Sequence, residues 1–175
     1  DRSKLKSELY EQPKQEILSK KLAEEVGYSF EAGRLDASTH PFTSSPGRSD
    51  VRITTRYSTD LMDSILPTLH EAGHGIYEQN LNAEYEGLPI ANVMTQLATH
   101  ESQSIFYERH IGKTEAYWKH YLPVLQSEFP NTPISNITVR ELYEAINVVE
   151  PTFIRVTSDE LTYPLHIILR FEIER

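Results

Sequence analysis

Hydrophobic positions change period along the chain, from helical to alternating and back to helical. Ile17, Leu18, Leu22 and Val26 recur at helical spacing in a charge-rich segment, predicting an amphipathic helix over residues 14–28 that Gly27 stops. Strand character follows over residues 37–42, then a loop containing Ser44-Ser45-Pro46-Gly47, then residues 51–57. There Val51, Ile53, Thr55 and Tyr57 alternate with Arg52, Thr54 and Arg56, which gives one fairly apolar face and one polar or basic face. The pair reads as a β-hairpin with a long turn.

Helical spacing then takes over. Leu61, Met62, Ile65, Leu66, Leu69, Ala72, Ile76 and Tyr77 form one broad stripe that Ser58 or Thr59 can cap. Pro67 lies inside it and predicts a kink, or a break with a new helix starting there, because proline removes a backbone donor and crowds the preceding turn. Further helices are expected over residues 90–111, stopped by Gly112, and over 115–129, before Pro130. Thr138 and Glu141 have capping-box spacing for a helix toward Val148. Residues 149–156, broken by Pro151, are ambiguous, and Ser158 or Asp159 can cap a last helix that runs off the end. The fold class is mainly α with a small hairpin or sheet. Both ends look cut: the chain opens on Asp1, and it closes in mid-pattern at Arg175 without a Gly or Asn stop.

Composition narrows the partners. With 175 residues, 38% hydrophobic and 25% charged, the chain suits one compact unit with a real core. A formal charge of −9 and the lack of any basic run argue against nucleic acid. No apolar run is long enough to cross a bilayer and no signal-peptide layout opens the chain, so it reads as soluble and cytoplasmic, with no membrane partner. Cysteine is absent, so any metal must be held by imidazole and carboxylate.

His70-Glu71-Ala72-Gly73-His74 has the H-E-x-x-H form inside a predicted helix. Residues four apart share a face, so both imidazoles can reach one Zn²⁺ while Glu71, about 100° round, reaches its water. Metal-assisted hydrolysis needs that layout: two neutral nitrogen ligands and a carboxylate that takes a proton from activated water. A catalytic zinc also needs a third protein ligand. Glu101 continues the line of Ile90, Val93 or Met94, Leu97 and Ile105, placing a carboxylate on an inward stripe where a metal would compensate its burial. His100 competes but points about 100° away. Glu78 lies two turns from His70 and suits an outer or exposed position. His110, His120 and His166 have no matching constellation and read as structural.

Five motifs in order make the reading more specific: His40-Pro41-Phe42, Asp50-Val51-Arg52-Ile53-Thr54, the His70 to His74 motif, His100-Glu101-Ser102-Gln103, and Ile154-Arg155-Val156-Thr157-Ser158-Asp159. They span about 120 residues, and in them the chain resembles the carboxypeptidase Taq family of metallocarboxypeptidases. The resemblance implies a helical zincin-like core with a small sheet beside a deep cleft. It also implies stepwise, metal-dependent removal of residues from free peptide C-termini, commonly by a homodimer. His70, His74 and Glu101 match the metal ligands and Glu71 the general base. Ser158 stands where the family usually has alanine. A downstream motif with glutamine and histidine and a preceding helical region are absent, so residues 1–175 are read as the central part of one catalytic domain.

Holding a terminal carboxylate calls for a fixed arginine. Arg52 and Arg56 on the hairpin and Arg155 in the last motif are candidates, Arg155 slightly favoured, each with a solvated or ion-paired arginine as its plain alternative. His40 could bind substrate or the oxyanion, or could be a structural hairpin residue. Asp50 and Asp159 could orient an imidazole, or serve as turn and cap residues, the cap being favoured for Asp159. Zinc is the expected cofactor, with Co²⁺ or Mn²⁺ also compatible with these donors. A zinc endopeptidase or aminopeptidase would use the same four residues without the arginine clamp. A metal-binding fragment without activity is the remaining alternative.

Overall fold

The structure is a computed structural model that describes residues 2–86, 88–89, 96–155 and 158–175. Helix α1, Gln12–Glu25, turns Leu18, Leu22 and Ala23 into the core and ends where Gly27 adopts φ 110°. Ile17, expected on the same stripe, is 69% exposed, because the buried face runs through Gln15, Leu18, Ser19 and Leu22 instead. Gln15 explains the shift. Its amide donates to the carbonyls of Tyr10 at 2.8 Å and Ser58 at 2.9 Å, so a polar side chain takes a core position with its donors used.

Three strands form the sheet, in the order β1-β3-β2: β1 Gly33–Ala37, β2 Thr43–Gly47 and β3 Asp50–Thr55. β1 runs parallel to β3 and β2 antiparallel to it. The expected hairpin is therefore corrected in both its first strand and its turn. Ser44-Ser45-Pro46-Gly47, read as loop, belongs to strand β2, joined to β3 by a tight turn. Its composition is poor for a strand, but it lies at an edge, and the register slips between Ser44 and Gly47, where Pro46 lacks a donor. Residues 38–42 are held by Thr54 instead of a ladder: its hydroxyl accepts from the Phe42 N–H at 2.9 Å, and its own N–H donates to the Phe42 carbonyl at 3.0 Å.

Helix α2, Met62–Gln79, passes unbroken through Pro67. Of the kink or break expected at Pro67, the break does not occur, because the helix is packed on both sides. Leu61, Met62, Ile65, Leu66 and Leu69 join a core with Trp118, Leu125, Phe129 and Leu142, while Ala72 joins a second core with Tyr28, Val51 and Ile53. The Thr55 hydroxyl donates to the Ser64 carbonyl at 3.0 Å, tying β3 to the helix. The helix start is held by Asp60, not by Ser58 or Thr59: the Asp60 carboxylate accepts from the Met62 N–H at 3.0 Å, and Ser58 in turn accepts from the Asp60 N–H.

Helix α3 covers Gln96–Ile105 and continues as a wider π-helical segment, Phe106–Ile111, up to Gly112. The expected start over residues 90–95 lies outside the described residues, as do Ile90, Val93 and Met94 of its stripe. Leu97 of that stripe is 62% exposed, since this side of α3 faces a cleft. Helices α4, Glu115–Glu128, and α5, Val139–Ile146, follow as expected, α5 with its capping box between Thr138 and Glu141. Helix α6, Tyr163–Glu174, buries none of its residues.

Candidate metal centre

His70, Glu71 and His74 sit on α2, and Glu101 faces them from α3. Gly73 sets the distance between the two helices. A Cβ there would lie 2.7 Å from the Gln103 carbonyl oxygen and 2.7 Å from the Ser104 Cα, so only a glycine lets the backbones approach this closely. Glu101 Oε2 stands 3.2 Å from His74 Nε2 and 4.0 Å from His70 Nε2. One ligand atom from each of the three residues lies within 4.8 Å of the others.

Those donors fit a divalent cation. Ligands at ~2.0–2.1 Å in a tetrahedral shell stand roughly 3.3 Å apart, near the His74–Glu101 separation. On its far side His70 uses Nδ1 toward Glu108 Oε2 at 2.8 Å, which leaves Nε2 with its lone pair toward the cluster. Burial favours the neutral ring, but Glu108, helped by Glu71 and Glu101, outweighs it and raises the His70 pKa. The hydrogen bond from His74 holds the Glu101 carboxyl below the usual range against its partial burial.

Glu71 is 6% exposed and accepts from the Thr43 hydroxyl at 2.6 Å. Strand β2 thereby fixes a carboxylate beside the cluster, off the ligand line. His100 is turned elsewhere: its Nε2 meets Glu78 Oε1 at 2.8 Å, and its ring stacks on His74 with centroids 4.3 Å apart. Glu78 thus supports an imidazole at one remove from the cluster.

A cavity of about 650 Å³ opens over these residues. His40, Arg56 and Arg155 line it. Arg155 donates through Nη1 to the Tyr163 hydroxyl at 2.6 Å, and Arg56 lies 3.6 Å from Asp63. Arg52 does not line the cavity. It forms a two-toothed pair with Asp50, both contacts 2.8 Å, on the exposed side of β3, and Asp50 does not line the cavity either. Among the described residues Asp159 is paired with no imidazole: it accepts from the N–H groups of Leu161, Thr162 and Glu150, as a turn and cap residue does. The imidazole partner is Glu108, which the sequence reading missed. Its signal was present, since seven residues after Glu101 returns a helix to nearly the same face. Thr43, Arg109 and Tyr163 also belong to the site wall and had no sequence signal, because tertiary packing alone brings them there.

A helix bearing H-E-x-x-H, a carboxylate from the next helix and a small sheet beside the cleft form the arrangement expected of the metal site of a mainly helical metallopeptidase. A family model described as carboxypeptidase Taq (M32) metallopeptidase matches residues 1–175, and the chain belongs to that family. It is 45% identical over 163 residues to carboxypeptidase 1 of Bacillus subtilis, covering 93% of this chain and 32% of that one. It is 43% identical over 149 residues to thermostable carboxypeptidase 1 of Thermus thermophilus, covering 85% of this chain and 29% of that one. The solved structure of Pyrococcus furiosus carboxypeptidase superposes with a TM-score of 0.89 at 40% identity, covering 97% of this chain and 34% of that one. The chain spans about a third of the length of the curated relatives it matches.

Proposed function

We propose that this chain carries the catalytic core of a metal-dependent carboxypeptidase that removes single residues from peptide C-termini. The observation that carries the proposal is the joint placement of Glu71 and the His70–His74–Glu101 cluster in one cavity that also holds the Arg155–Tyr163 pair. Zn²⁺, or Co²⁺ or Mn²⁺ with the same donors, would be held by His70, His74 and Glu101 and would supply Lewis acidity toward a carbonyl oxygen and a water.

The protein's own groups do the rest. Glu71 takes the proton of the attacking water and delivers it to the leaving amine, while the Thr43 hydroxyl keeps its carboxylate aimed. Arg155, braced by Tyr163, holds the terminal carboxylate of the substrate. His40 has Nδ1 engaged with the Pro41 carbonyl at 2.9 Å, so its Nε2 is an acceptor for a substrate N–H.

Residues 1–175 are proposed to form the central part of one catalytic domain. Helix α6 supports this reading, since Leu165, Ile168, Leu169 and Phe171 are all more than half exposed and such a helix normally packs against further chain. A cysteine-free site of imidazole and carboxylate suits the cytoplasm, and the family resemblance supports a homodimer. Among the described residues no helix is long and apolar enough to cross a membrane.

The test is Glu71→Gln. The variant should retain one metal per chain by elemental analysis while release of C-terminal residues falls about 10²- to 10⁴-fold. Metal loss in the variant would make Glu71 a ligand or a support, and cleavage of peptides amidated at the C-terminus would rule out a carboxypeptidase.

A further inference from the structure

Glu78 and His100 have no part in the mechanism above, yet both stand beside the ligand cluster. The His100 ring lies nearly parallel to that of His74, with centroids 4.3 Å apart and planes at 23°. Tyr77 meets the same His100 ring edge-on, with centroids 5.1 Å apart, and Glu78 Oε1 stands 2.8 Å from His100 Nε2. Two consecutive residues of α2 therefore fix a histidine of α3.

The two imidazoles of the motif are oriented by different means. His70 is turned by its hydrogen bond to Glu108. His74 is met on its face by His100 and, in an edge contact with centroids 5.0 Å apart, by His70. A histidine ring turns about χ2 in a broad well, so a neighbour must fix its plane if Nε2 is to point at a metal. A stacked ring does so, because rotation of one plane drives its edge into the other.

The place of Glu78 follows from spacing. It lies seven residues after Glu71, which returns a helix to nearly the same face, and Ser45 lies two residues after Thr43 on β2, so these two side chains leave the strand on one side. Thr43 holds Glu71 at 2.6 Å. The Glu78 carboxyl is kept below the usual range by His100 and more weakly by Ser45, against its partial burial. One face of β2 thus addresses both carboxylates of α2.

We infer that the Glu78–His100 pair is a positioning device for the metal ligand His74: the stacked His100 ring sets the plane of the His74 imidazole, and Glu78 acts by holding His100 in that stack. This rests on the reading of His70, His74 and Glu101 as ligands, and the two can fail separately.

The experiment measures Co²⁺ affinity, by competition with a chromophoric chelator, and the visible absorption of the bound Co²⁺ for the full-length protein and its variants at one pH. His100→Ala should lower the affinity about tenfold, as loss of an outer partner does, and should shift the Co²⁺ bands, because the His74 ring is free to turn. His100→Phe keeps a flat ring without a nitrogen and should restore most of the affinity and the parental bands. Glu78→Ala should weaken binding by itself but add nothing in the His100→Ala background, since its effect passes through the same ring. Parental affinity and bands in His100→Ala overturn the inference while leaving the ligand reading intact. A loss in His100→Phe as deep as in His100→Ala also overturns it, because a His100 nitrogen rather than its ring face would then be at work. Full additivity of the Glu78 and His100 changes overturns it as well. A parent protein that takes up no Co²⁺ ends the ligand reading and this inference together.

Discussion

Glu108 and His70 meet at 2.8 Å between Oε2 and Nδ1, and this contact decides which nitrogen of His70 faces the candidate metal ligands His74 and Glu101. Nδ1 donates to the carboxylate, so the ring is held in the tautomer whose Nε2 is free to ligate. Replacing Glu108 with Ala should lower metal affinity about 10- to 100-fold, as loss of such outer partners does. Glu108→Gln should be milder, because its amide oxygen still accepts from Nδ1. Competition with a chromophoric chelator measures both, and unchanged affinity in the Ala variant would remove Glu108 from the site.

His100 and Glu101 are neighbours with separate tasks. Glu101 reaches the two imidazole Nε2 atoms, whereas His100 is spent on Glu78. Glu101→Ala should therefore reduce metal content far more than His100→Ala. The reverse ranking by elemental analysis would make His100 the third ligand.

Gly73 should tolerate no side chain. An added Cβ at 2.7 Å from Ser104 Cα forces α2 and α3 apart, and overpacking of this kind typically costs about 1–3 kcal/mol. Gly73→Ala is expected to lower the thermal midpoint and also to weaken metal binding, because Glu101 moves with α3. A variant with the parental midpoint would show that the helices are free to separate.

Asp159 carries an acid-sensitive contribution. Desolvation opposes its ionisation, but the Thr162 hydroxyl and N–H and the N–H groups of Glu150 and Leu161 hold its pKa down at about 2. The folded value lies below the unfolded one of about 3.9, so the stabilisation is complete above roughly pH 4 and is lost as pH falls toward 2. Asp159→Asn should narrow the gap between unfolding midpoints at pH 5 and pH 2.5. An unaltered gap would assign the acid sensitivity to other carboxylates.

The sequence by itself determined most of the helices and the residues of the candidate metal centre, because both are written in short-range spacing. His70, Glu71 and His74 lie within five residues, Glu101 sits on the next helix, and the Thr138–Glu141 box marks where α5 begins. Tertiary structure decided whatever depends on long-range contact. Strand β2 forms from a serine- and proline-bearing stretch because β3 offers it a ladder, and α2 survives Pro67 because two cores hold it. The same packing pairs Arg52 with Asp50, spends Asp159 on backbone N–H groups, and carries Thr43 to Glu71 across 28 positions of sequence. A side chain's partner is set by which elements pack around it, and periodicity along one element carries no record of the others.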